Sequence, residues 1–176
     1  MRLELSRSTI RSFRPADAAP LAVHIGTDSM ARNMSALPQP YSLEHADRWI
    51  ATAGSRNPQT QFALAIDDQV VGGIGLEVGD SGRPSVSEHC AEVGYWLGES
   101  YWGRGIMTEA LGALTEWAFR ELGLVRIHAS VYARNPASAR VLEKAGYACE
   151  GRMRARYRRD GEFIDGLLYA KVRLPD

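Results

Sequence analysis

The run Tyr95–Leu111, YWLGESYWGRGIMTEAL, decides how this chain is read. It begins as a strand through Tyr95, Trp96 and Leu97, then passes Gly98 and Gly103-Arg104-Gly105 straight into a helical pattern. Glycine admits backbone angles closed to other residues and lets a ligand approach the main chain. A helix N-terminus adds unpaired N–H groups and a partial positive charge. Together they make an anion site suited to phosphate. A tight turn with no ligand is the plainer reading of a lone Gly-x-Gly, and the loop alone does not separate the two. Two common phosphate loops fail the comparison. A Walker loop needs Gly-Lys-Ser/Thr, which is missing, and a dinucleotide fingerprint needs a third glycine where Thr108 stands.

Working outward, Ile106, Ala110, Leu114 and Trp117 recur at helical spacing, and Gly123 is a sensible stop. HCAEVGYWL before the loop and VRIHASVY after the helix read as strands. NPASARVLEKAG reads as a second helix, with Asn135 at the N-cap, Pro136 in the first turn and Gly146 just past the end. YACEGRMRARYRR and EFIDGLLYAKVRL form a strand pair turning at Asp160-Gly161. Towards the N-terminus, LELSRSTIRSF holds one or two short strands, and RPADAAPLAVHI is a helix with Asp17 near its N-cap. GTDSMARNMSALPQPYS has no clear period and reads as an irregular segment of the kind that shapes binding sites. Ser42 caps a helix through LEHADRWIATA, QFALAI and VVGGIGLEV form a hairpin, and GDSGRPSVSE is a loop. The sum is one α/β domain over residues 1–176 with a mixed sheet.

Composition narrows the class of function. Hydrophobic residues make up 45% and charged residues 24%, and the formal net charge is zero, which argues for neither a nucleic-acid nor a membrane partner. Cys90 and Cys149 are the two cysteines, with neither a disulfide framework nor zinc spacing, so no metal is expected. The start MRLELSRSTIRSF lacks the apolar core of a signal peptide, and no apolar run approaches a membrane span. The expectation is a soluble, cytoplasmic protein.

Three motifs now stand in order: AEVGYWLGESYWGRGIMTEAL, NPASARVLEKAGYACEGRMR and DGEFIDGLLYA. This arrangement resembles the GCN5-related N-acetyltransferase (GNAT) superfamily, and most of all its ribosomal-protein N-terminal acetyltransferase (RimJ/RimL-like) branch. IRSFRPADA and YSLEHADRWI also look like that branch, so the resemblance covers nearly the whole chain. It implies a mostly antiparallel twisted sheet, flanked by helices and splayed at a cofactor cleft. It implies acetyl-CoA as cosubstrate, with its pyrophosphate on the amides of Gly103, Arg104, Gly105, Met107 and Thr108. Met107 departs from the family's small residue. The pantetheine arm would pair with backbone near Trp96 and Leu97, where an N–H can hold the acetyl oxygen as charge develops. Asn135 and Ser138 match the branch's Asn-x-x-Ser beside the thioester, although Asn135 can also serve as a plain helix cap.

Direct acetyl transfer needs a base for the amine and an acid for the leaving thiolate. Glu92, on the strand lining the implied cleft, is the candidate base, ahead of Glu88 and His89; a structural carboxylate is the alternative reading. Ser138 is the candidate acid. Some members of the branch carry a carboxylate where this chain has Arg156. Arg152, Arg154, Arg156 and Arg158 alternate, so on a strand they share one face, read as a solvated edge more readily than as an acidic-acceptor site. The implied acceptor is the N-terminal α-amine of a protein or peptide. A small amine (polyamine, aminoglycoside or amino-acid-like) and a CoA-binding regulatory module without turnover are the alternatives. The branch often forms homodimers.

Overall fold

The computed structural model describes residues 1–175 apart from 35–36, 39, 56–57 and 80–83. In chain order come β1 (Arg2–Glu4), β2 (Thr9–Arg11), α1 (Ala18–Ile25), α2 (Asp28–Asn33), α3 (Leu43–Gly54), β3 (Gln61–Ile66) and β4 (Gln69–Val78). Then follow α4 (Pro84–Ser87), β5 (Cys90–Leu97), α5 (Ile106–Glu121), β6 (Arg126–Tyr132), α6 (Pro136–Lys144), β7 (Ala148–Arg159) and β8 (Glu162–Val172). The strand order is β1-β2-β3-β4-β5-β6-β8-β7. β5 and β6 pair in parallel, while β1–β2, β2–β3, β3–β4, β6–β8 and β7–β8 pair antiparallel. This is the mixed, mostly antiparallel sheet that the sequence motifs imply.

The chain forms two compact units, and β4, β5 and α5 each run from one into the other. The first comprises Met1–Gly75 and Tyr95–Ala110. Its core gathers Leu21 and Ile25 of α1, Met30 of α2, Ile50 of α3, Val70 of β4 and Trp96 of β5. Gly73 is required there, because a Cβ on it would lie 2.4 Å from Nε1 of Trp96. Arg11 on β2 is 3% exposed and Asp17 is 5% exposed, so their charges are buried. Arg11 donates to both Asp17 carboxylate oxygens, at 2.7 and 2.9 Å, satisfying them against each other. Asp17 does precede α1, but its side chain makes no cap; it accepts instead from Arg11 and from the Arg14 amide at 2.8 Å. Ser42 caps α3 through its side chain as expected.

The second unit comprises Leu76–Gly94 and Leu111–Asp176. Buried Leu111, Leu114, Ile127, Ala129 and Leu142 supply its apolar interior, and Thr115 Oγ1 meets Tyr147 OH at 2.7 Å inside it. Helix α5 is further tied to β8 and the C-terminal segment, with Glu116 accepting from Arg173 and lying 3.5 Å from Lys171 Nζ.

Three readings need correction. The segment 26–42 is not wholly irregular: Asp28–Asn33 is helical, with Thr27 accepting from the Met30 amide as its cap. Pro84–Ser87 is a short helix inside the stretch read as a loop, whose residues 80–83 lie outside the described residues. The strict alternation of β7 fails as well. Its register against β8 shifts between Met153 and Tyr157, and Ala155 takes φ 49° in a bulge. Asp165 holds the bulge, accepting from the Ala155 amide at 2.8 Å and from Arg152 at 2.7 Å. The four arginines remain exposed on an edge strand, with Arg156 over the Tyr157 ring and Arg158 over the Phe163 ring.

Candidate functional site

The glycine loop lies in the first unit. After β5 a 3-10 turn spans Glu99–Tyr101, and Gly103 and Gly105 then take φ of +74° and +76°. Both are left-handed conformations that favour glycine. The first backbone bond of α5 runs from the Glu109 amide to Gly105 O at 3.1 Å. The amides of Ile106, Met107 and Thr108 therefore precede the helical ladder and stand at its positive end. A Cβ on Gly103 would have no heavy atom within 4 Å, so the backbone there is open. Met107 is 5% exposed, its side chain taken into the interior and leaving only its amide for the loop. Arg104 is exposed and its guanidinium sits 5.6 Å from the Tyr101 ring centroid.

The end of β5 is organised by its hydrogen bonds. The Gly98 amide donates to Val71 O of β4 at 2.8 Å. Strand alternation then turns the backbone groups of Leu97 towards the opposite edge. On that edge Leu97 O accepts from Trp102 Nε1 at 2.6 Å, which fixes Trp102 beside the loop and occupies one acceptor expected to be free for a ligand. The Trp96 side chain belongs to the core, so its part in a ligand site is limited to its backbone.

In the second unit, β5 pairs with β6 at Cys90↔Arg126, Ala91↔Ile127 and Glu92↔His128, and among the described residues the pairing goes no further. Paired residues project from the same face of a sheet. Glu92 is exposed, and His128 beside it is half-buried. His128 Nδ1 is buried without a hydrogen-bond partner. Burial pushes the His128 imidazole below its usual pKa; Glu92 pulls the other way, Arg126 adds to the lowering, and Glu150 opposes it. Further along β6, the Ser130 hydroxyl bonds the Tyr157 hydroxyl. Asn135 caps α6, its Oδ1 accepting from the Ser138 amide at 3.1 Å.

The structure thus gathers Trp96, Leu97, Gly103, Arg104, Gly105, Met107 and Thr108 in one unit, and Glu92, Asn135 and Ser138 in the other. Sequence reading passed over His128. Its only signal is a polar residue in a strand, and its register with Glu92 is set by pairing between distant segments. Among the described residues no group of three or more His, Cys, Asp or Glu side chains could hold a metal, and no helix is long and apolar enough to cross a membrane.

Comparison with known proteins follows the same lines. Residues 7–148 match the family model described as acetyltransferase (GNAT) domain. Probable N-acetyltransferase YjcK of Bacillus subtilis (strain 168) is 31% identical over 166 residues, covering 86% of this chain and 88% of its own. L-amino acid N-acetyltransferase AaaT of Escherichia coli (strain K12) is 26% identical over 134 residues, covering 76% and 80%. The structure of RimL, described as a ribosomal L7/L12 alpha-N-protein acetyltransferase in complex with coenzyme A, superposes with a TM-score of 0.84. That likeness, at 18% identity over 98% of each chain, is one of fold.

Proposed function

The chain belongs to the GNAT acetyltransferase family and is an N-acetyltransferase, and from that premise we propose that it moves acetyl from acetyl-CoA to an α-amine, foremost the N-terminus of a protein or peptide. The loop fits the donor: open glycine backbone, three amides ahead of the helical ladder and a buried Met107 leave room for a diphosphate. The amides of Gly103, Arg104, Gly105, Met107 and Thr108 hold it, and Asn135 and Ser138 contact the pantetheine end. The thioester supplies an acyl group already activated for attack. The Leu97 N–H steadies the carbonyl oxygen as negative charge grows. Glu92 takes the amine proton, directly or relayed through His128 or water, and Ser138 hands a proton to the departing sulfur.

The observation that carries the choice of acceptor is the half-buried His128, its imidazole held below its usual pKa by burial, in register with Glu92. An α-amine of about 7.8 is already partly neutral near pH 7 and needs only a weak base. A lysine amine of about 10.4 is almost wholly protonated there and needs a stronger one. The pair matches an amine that is already partly neutral. The exposed arginines of β7 also disfavour a polycationic acceptor. The relative named for L-amino acids and the structure named for a protein N-terminus both belong to α-amine chemistry.

Thiol release from acetyl-CoA tests this with four acceptors: unblocked peptides, N-blocked lysine peptides, free amino acids and polyamines. Release with unblocked peptides supports the reading. Release confined to polyamines or lysine side chains overturns the α-amine, and saturable CoA binding without release on any acceptor overturns turnover.

A further inference from the structure

The turn between β1 and β2 is fastened to the start of α5. Leu5 N bonds Ser8 O at 2.9 Å to close the turn, and the Ser6 amide donates to Glu109 Oε1 at 2.8 Å across 103 residues. That strap brings Arg7 to the glycine loop. Its Nη1 lies 3.4 Å from where a Cβ on Gly105 would stand, and its Cζ 3.9 Å. Arg7 is exposed, and no hydrogen bond or ion pair ties its guanidinium to a described residue. Burial works against charge on Glu109, but its interactions with Ser6 and Arg7 outweigh it and keep its pKa below the ordinary carboxylate value. The first turn of α5 therefore carries a fixed negative charge near an anion site, and Arg7 is placed to offset it. Arg104, the cation within the loop itself, is instead drawn over Tyr101.

We propose that Arg7 is a binding residue for the acyl donor, its guanidinium pairing with the diphosphate of CoA at the α5 N-terminus. The assignment rests on the reading of the glycine loop as the CoA site. Arg7 adds a charge-assisted, bidentate-capable donor to backbone amides that carry only partial charge.

The experiment is calorimetric titration of CoA and of dephospho-CoA into the wild-type chain, Arg7→Gln and Arg7→Lys, with melting temperatures recorded alongside. Arg7→Gln is expected to raise Kd for both ligands by about three- to tenfold, as loss of an exposed charge-assisted bond does. The salt dependence of binding should weaken with it, and Arg7→Lys should recover part of the loss. Equal CoA affinity in Arg7→Gln and wild type would overturn the proposal while leaving the loop's function standing. A loss seen with CoA but not with dephospho-CoA would move Arg7 to the 3′-phosphate and overturn the diphosphate assignment. An equal loss in Arg7→Lys, accompanied by a lower melting temperature, would make Arg7 structural. A wild-type chain that binds neither ligand would overturn the functional reading itself.

Discussion

Asp17→Ala should be among the most damaging single substitutions in the first unit. It deletes two bonds to Arg11, at 2.7 and 2.9 Å, and one from the Arg14 amide at 2.8 Å. What remains is a guanidinium 3% exposed without its carboxylate. Breaking a buried pair from one side costs about 3–5 kcal/mol, because the surviving charge is left uncompensated. Here the lower end applies: Arg11 keeps the carbonyls of Ser12 and Asp68, and its Nε lies 3.5 Å from Asp68 Oδ1. About 3 kcal/mol in a chain of this size lowers Tm by roughly 6–12 °C. Urea unfolding and calorimetry measure both, with Arg48→Ala as the comparison. Arg48 pairs with Glu44 on an exposed helix face, and its loss should stay within about 0.5 kcal/mol. A cost for Asp17→Ala below about 1 kcal/mol would refute the argument, since that is the value of a surface pair.

Other outcomes follow from the same geometry. Asn135→Ala should cost about 1 kcal/mol through loss of the α6 cap, whereas Asn135→Ser keeps the cap and should weaken only donor binding if the side chain also contacts the donor. Equal donor affinity in Asn135→Ser and wild type would leave Asn135 as a cap alone. Burial holds His24 and His128 below the usual imidazole pKa, so the unfolded chain takes up protons near pH 6.5 that the folded chain declines. Stability should therefore fall as pH drops from about 6.5 through the two folded values, and the urea midpoint of His24→Gln/His128→Gln should change less across that window; an unchanged slope would contradict it. Glu92→Gln should alter the acidic limb of the pH–rate profile, and an untouched profile would remove Glu92 from the proton path.

Much of this was readable in the chain because it is local. Ser42 and Asn135 announce helix starts through side chains that reach three residues on, and the left-handed turn at Asp160-Gly161 follows from residues that tolerate positive φ. The glycine loop was legible for the same reason. What escaped depends on pairing between distant segments or on competition between weak signals. Helix α2 is six residues long, too short to show a period, and Thr27 was its one local sign. The β7 bulge is set by Asp165 on the neighbouring strand, which no alternation count within β7 can show. His128 gains its partner from parallel pairing with β5, and Arg7 reaches Gly105 through a strap spanning 103 residues.

The central claim is acetyl transfer to an α-amine, and mass spectrometry of one product tests it most directly. A peptide with a free N-terminus and an internal lysine is incubated with the enzyme and acetyl-CoA, and fragmentation locates the added acetyl group. Acetyl on the N-terminal nitrogen, with the lysine unmodified, is the predicted result. Acetyl on the lysine Nζ with a free N-terminus would contradict the account.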